Sequence, residues 1–283
     1  TKPVRSRAFT LVESMIVLTT IVLLAALMMP VFVTARDTSK RVVCASNFHQ
    51  VSMASALYFG DYDDRFMPVN HVASMGGRPT DDLTWVQLTL PYVREFGVFE
   101  CPSDFTRTRI VRAFEPGAVA GDPYARFYEA SKHSNIGYNW LYLAPIVRRA
   151  GVWQSVTRYV SQAADPSNTI LMADSVYDVV NKAPTGGGFY LIYPPCRYTA
   201  SRADSFRSGS DETEFLTPEV GWTDRTNSDF GHIWPWHSRH ANVVRLDGSL
   251  KSFTVPQIEA GCRSLSKWDG LIFDTNAYMW DLR

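Results

Sequence analysis

RAFTLVESMIVLTTIVLLAALMMPVF, running from Arg7 to Phe32, decides how this chain is organised. No charged residue occurs from Ser14 to Ala35, and most positions there are Ile, Val, Leu, Ala, Met or Phe. As a helix those 22 residues span about 33 Å, enough for the hydrocarbon core of a bilayer. Lys2, Arg5 and Arg7 precede the run and hold the short leader on the cytoplasmic side by the positive-inside rule. A secretory signal peptide needs a small-residue cleavage site after its apolar region. Here the run passes instead into TARDTSKRVVCASNFHQ (Thr34 to Gln50), which has no A-x-A site. A plain anchor leaves Glu13 without a purpose, because a carboxylate at the edge of an apolar span costs free energy unless it is partnered.

Working outward, Cys44, Phe48, Val51, Ser55 and Tyr58 recur at helical spacing, with Ala54 and Leu57 beside them. This predicts one helix from about Phe9 to Phe59, its first half in lipid and its second half docked on a sheet. Pro30 removes one internal hydrogen bond and should kink or locally melt the helix. Gly60 and the following DYDD should end it. From Asp61 onward short strands and turns are expected. NTILMADS (Asn168 to Ser175) and GGFYLIYPP (Gly187 to Pro195) read as strands. Asp247-Gly248 inside NVVRLDGSLKSF reads as a two-residue type I′ hairpin turn. Strands that follow a long helix without βα alternation favour an α+β fold, a long N-terminal helix packed on an antiparallel β-sheet domain. The expected segments are a leader (1–8), a transmembrane segment (9–35), an amphipathic continuation (36–60) and a soluble β-rich domain (61–283).

The 28 basic and 28 acidic residues cancel, so nothing favours nucleic acid as a partner. No G-x-S-x-G, H-E-x-x-H, P-loop or G-x-G-x-x-G occurs, and the expectation is a non-enzyme without a cofactor. TGGGF (Thr185 to Phe189) reads as a flexible turn. Asp61, Asp63 and Asp64 offer closely spaced oxygens that suit calcium, but they lack EF-hand spacing and also suit a helix end. Four cysteines, Cys44, Cys101, Cys196 and Cys262, allow three pairings. Their spacing lacks the C-x2-C of a zinc site. Cys44 on the docking stripe favours Cys44–Cys101, which leaves Cys196–Cys262. His237, His240 and Asp247 could surround a metal or ligand. Because extended residues advance about 3.3 Å each, the strand between His237 and Asp247 separates them, and the reading adopted is a hairpin turn plus a buried, hydrogen-bonding His237.

The segment Arg7–Phe32 resembles the N-terminus of type IV pilins and type II secretion pseudopilins. The resemblance implies cleavage by prepilin peptidase between Ala8 and Phe9, with Ala8 where the family usually has Gly, and methylation of the new N-terminus. Glu13 then becomes the fifth mature residue, the family's assembly glutamate, and Pro30 the twenty-second. His237, nine residues, then Asp247-Gly248 resembles the H-x9-DG motif of large pilin-like proteins with a DUF1559-type domain. CASNFHQ, YFGDYDDRF, VFECPSD, SNIGYN and DPSNTILMADS are similar to phrases of the same group. The resemblance implies a single-pass bacterial inner-membrane protein with a periplasmic domain, assembled with other pilin or pseudopilin subunits into an extracytoplasmic or cell-surface filament. The alternative is a membrane-anchored solute- or glycan-binding module that uses the helix only for export and anchoring.

Overall fold

The structure, a computed structural model, describes residues 10–69, 83–93, 95–106, 130–149, 152–203, 205, 214–215, 231–265 and 270–282. Ala8 and Phe9, the expected cleavage pair, lie outside the described residues. The chain divides into two units between Val42 and Val43. The helix α1 (Leu11–Asp61) is continuous through that division.

In the first unit α1 starts on a capping box. The backbone N–H and hydroxyl of Thr10 donate to Glu13 Oε2 at 2.8 and 2.7 Å, and Glu13 N–H donates back to Thr10 Oγ1 at 3.3 Å. Every residue from Thr10 to Ser39 is exposed, so the apolar run is unburied all round. Its hydroxyls are satisfied locally, with Thr19 donating to Met15 O at 2.7 Å and Thr34 to Pro30 O at 3.0 Å. The helix is therefore long and apolar enough to cross a membrane, with its polar side chains already paired. Pro30 does not melt it: one lost backbone bond is carried by intact neighbouring turns.

In the second unit one face of α1 is buried: Cys44, Phe48, Val51, Ala54, Ser55, Tyr58 and Phe59. Leu57, read as part of that face, is 58% exposed, because the stripe follows the 3.6-residue period past it. The helix ends at Asp61, the first residue of DYDD, one residue past Gly60. The chain reverses at Asp63 and Asp64, both left-handed (φ 54° and 55°), where Asp64 N–H donates to Phe59 O at 2.8 Å. Phe48→Ala should cost about 3–5 kcal/mol, while Leu57→Ala should stay within about 0.5 kcal/mol. Denaturant unfolding of the two variants checks this contrast.

The strands are β1 (Ile136–Asn139), β2 (Ile146–Arg149), β3 (Val152–Ser155), β4 (Ile170–Asp174), β5 (Asp178–Val180) and β6 (Ala183–Thr185). They continue with β7 (Leu191–Ile192), β8 (Cys196–Thr199), β9 (Glu214–Phe215), β10 (Ala241–Arg245), β11 (Leu250–Phe253), β12 (Cys262–Arg263) and β13 (Gly270–Ile272). The central sheet has the order β11-β10-β4-β1-β7. It is mixed, not purely antiparallel as expected, because β7 pairs parallel with β1. The chain leaves β4, makes the β5–β6 hairpin, and returns as β7 on the far side of β1. Every residue of β4 (ILMAD) is buried, which explains its unbroken apolar run at the sheet centre. Phe48, Val51, Tyr58 and Phe59 of α1 share one core cluster with the sheet residues Ile136, Leu171 and Val243. Trp85, Trp140 and Trp280 supply much of its volume. Two disulfides, Cys44–Cys101 and Cys196–Cys262, close this unit.

Candidate functional site

Four of the phrases that carry the sequence resemblance, CASNFHQ, VFECPSD, SNIGYN and DPSNTILMADS, meet with His237 at one buried polar knot around Cys44–Cys101. The disulfide ties α1 to the segment after Phe99, and Asn47 Nδ2 donates to Glu100 O at 2.9 Å on the same side. Asn135, from SNIGYN, is the hub. Its Oδ1 accepts from Cys101 N–H at 2.9 Å, and its Nδ2 donates to Asp104 Oδ2 at 2.8 Å. Its backbone N–H donates to Phe99 O at 2.8 Å, and its carbonyl accepts from Ser175 N–H at 2.9 Å. Gly188, the last glycine of TGGGF, allows this packing: a Cβ there would lie 2.2 Å from Ser134 O and 2.4 Å from the Asn135 backbone. The run is thus a packed turn, where the sequence suggested a flexible one.

His237 enters the knot through a tight reversal. His237 and His240 exchange backbone hydrogen bonds at 3.1 and 2.9 Å around Ser238 and Arg239, whose φ values are 51° and 68°. Two left-handed central residues make this the type I′ turn. The turn expected at Asp247-Gly248 is of another kind. Only Gly248 is left-handed there (φ 81°), and Gly248 N–H donates to Arg245 O at 3.0 Å, closing a three-residue loop with the glycine as its bulge. A Cβ on Gly248 would lie 3.7 Å from Ser52 Oγ on α1, so the hairpin tip rests against the helix.

The buried His237 ring has Nδ1 3.5 Å from Ser103 Oγ and Nε2 3.6 Å from Cys101 Sγ. Nε2 also lies 3.8 Å from Asp174 Oδ2, which accepts from Asn242 N–H at 2.6 Å. Asp174 is completely buried, and burial pushes its carboxyl well above the usual carboxylate range, against the pull of the Asn242 N–H. Its Oδ1 has no hydrogen-bond partner among the described residues.

His237 therefore meets Asp174 and the disulfide, not Asp247. Asp247 Oδ1 accepts from Ser249 N–H at 2.8 Å within its own turn, and His240 Nδ1 lies 3.0 Å from Ser238 O. Asp61, Asp63 and Asp64 are exposed at the end of α1, where Asp61 Oδ2 accepts from the Tyr92 hydroxyl at 2.7 Å. Among the described residues their carboxylates do not converge on a common point, whereas Cys44, Cys101 and His237 do. Ser103, Asn135 and Asp174 were missed from sequence because each contact joins distant segments. The capping box Thr10-x-x-Glu13 had a local signal in that four-residue spacing.

A second buried histidine gives the domain a pH dependence. His232 stacks on Phe189 with ring centroids 4.1 Å apart, and its Nδ1 lies 3.1 Å from Val176 O. Burial lowers its pKa to about 4. The unfolded chain protonates near pH 6.5, so the stabilisation is complete above that pH and is lost as pH falls toward 4. At pH 4.5 the loss should reach about 2–3 kcal/mol. His232→Phe should flatten this fall when urea midpoints at pH 7 and pH 4.5 are compared.

Comparison of the chain with family models, with curated proteins and with solved structures finds no match.

Proposed function

We propose that this chain is a type IV pilin-like or type II secretion pseudopilin-like subunit, processed before Phe9 and assembled through α1. One observation carries this reading: a single 51-residue helix that begins as an unburied apolar rod and continues as a buried element of a disulfide-closed domain. An apolar surface exposed all round needs lipid or other apolar helices to cover it. Disulfides persist in oxidising compartments, which supports a periplasmic or surface position for the domain that follows the helix. Glu13, in the first turn of α1, supplies the carboxylate that would pair with a neighbouring subunit's α-amino group. The resemblance of Arg7–Phe32 and of His237–Gly248 to pilin-like proteins agrees with this assignment.

N-terminal sequencing of the protein from membranes tests the reading. The expected mature chain starts at a methylated Phe9, and any other start sinks it. A membrane-tethered solute- or glycan-binding module is the second reading. It is favoured by a surface cavity of about 410 Å³ lined by Tyr198, Arg202, Leu265 and Leu271, which offers an aromatic ring and a cation beside apolar walls.

A further inference from the structure

Cys44, Cys101 and His237 come from three distant parts of the chain, yet their ligand atoms all lie within 4.8 Å of one another. We propose that, in the dithiol state, Cys44 Sγ, Cys101 Sγ and His237 Nε2 bind a thiophilic divalent cation of the zinc class, with the Asp174 carboxylate as the acidic neighbour of the ligating histidine. Oxidation to the disulfide releases the ion.

The distances fit this assignment. Ligands about 2.0–2.3 Å from a tetrahedral zinc lie about 3.3–3.8 Å from each other. His237 Nε2 is already 3.6 Å from Cys101 Sγ, the spacing of a sulfur and a nitrogen ligand on one tetrahedral ion. On reduction the two sulfurs need only part to about 3.8 Å. Two thiolates and an imidazole are a donor set that suits zinc over calcium or magnesium.

The surroundings also fit. Ser103 Oγ lies 3.5 Å from Nδ1 and would accept from an Nδ1–H when Nε2 ligates the ion, orienting the ring with Nε2 toward the cysteines. The Asn242 N–H holds the Asp174 carboxylate. A cation would compensate that buried acid, whose Oδ1 lacks a hydrogen-bond partner among the described residues. The absence of a C-x2-C pair conceals such a site from sequence reading.

The chemistry balances. A dithiol reductant gives two electrons and two protons, breaking the Cys44–Cys101 S–S bond, forming two S–H bonds and becoming a cyclic disulfide. The ion then displaces the two thiol protons. Thiol–disulfide exchange with an oxidised dithiol restores the bond and frees the ion.

The test uses the full chain in detergent micelles, reduced with a phosphine and titrated with Co(II). One equivalent should give tetrahedral ligand-field bands and a thiolate-to-cobalt charge-transfer band, both lost on adding Zn(II) or a disulfide oxidant. His237→Gln should weaken binding at least about tenfold, while Cys196→Ser/Cys262→Ser should leave the spectrum unchanged. Zinc-edge X-ray absorption of the reduced wild type, which needs no variant to fold, should show two sulfur and two nitrogen or oxygen neighbours. The proposal is overturned by a reduced chain without the charge-transfer band, by any other sulfur count, or by affinity unchanged in His237→Gln. A reduced chain that stays unfolded with or without zinc overturns it equally.

Discussion

Glu13→Gln should abolish entry into the proposed filament while leaving the first turn of α1 intact. Glu13 Oε2 accepts from both the N–H and the hydroxyl of Thr10. A glutamine carbonyl accepts the same bonds, because the capping box works with either residue. Only the charge is lost. If that charge pairs with a neighbouring subunit's α-amino group in an apolar bundle, losing it leaves a buried ammonium without a partner, which a filament does not tolerate. Glu13→Ala should also abolish incorporation and, in addition, fray the helix start. Sheared filament fractions, immunoblotted against total membrane protein, read out incorporation. A Glu13→Gln protein that assembles like wild type would defeat the charge-pairing account and leave Glu13 as a helix cap.

Cys44→Ser/Cys101→Ser should lose about 4 kcal/mol of domain stability by the chain-entropy relation, for a sequence separation of 57 residues. The separation of 66 at Cys196–Cys262 makes Cys196→Ser/Cys262→Ser similar in size. The consequences differ in place. The first pair joins α1 to the knot around Asn135 and His237, so its loss should raise hydrogen exchange in the segment from Val43 to Asp61. The second joins β8 to β12 and should leave that segment protected. Guanidinium midpoints and exchange by mass spectrometry measure both effects. A loss below about 1 kcal/mol for Cys44→Ser/Cys101→Ser would mean that neighbouring contacts alone hold the helix.

The amino-acid sequence foretells structure where a signal is local. The apolar run, the helical stripe from Cys44 to Tyr58, the strand at Ile170–Asp174 and the Asp247-Gly248 reversal each depend on neighbours within a few residues. Finer geometry escaped it. Leu57 falls off the buried stripe, the type I′ turn belongs to Ser238-Arg239, and β7 runs parallel to β1. Glycine at Gly248 permits left-handed backbone, but the position of the turn follows from strand register, which pairs Val244 with Leu250.

By itself the sequence determined one apolar helix able to span a membrane, a following α+β domain, and the preference for Cys44 as a partner of Cys101. Only the tertiary structure decided what His237 meets. Pairing of β10 with β4 puts Val243 opposite Ala173. That register sets Asn242 beside Asp174, and the turn at His240 folds His237 back over Asp174 and Cys101. Periodicity is a property of adjacent residues, whereas this contact joins groups 63 and 136 residues apart. Their meeting depends on how the whole sheet pairs, and no local pattern in the chain encodes it.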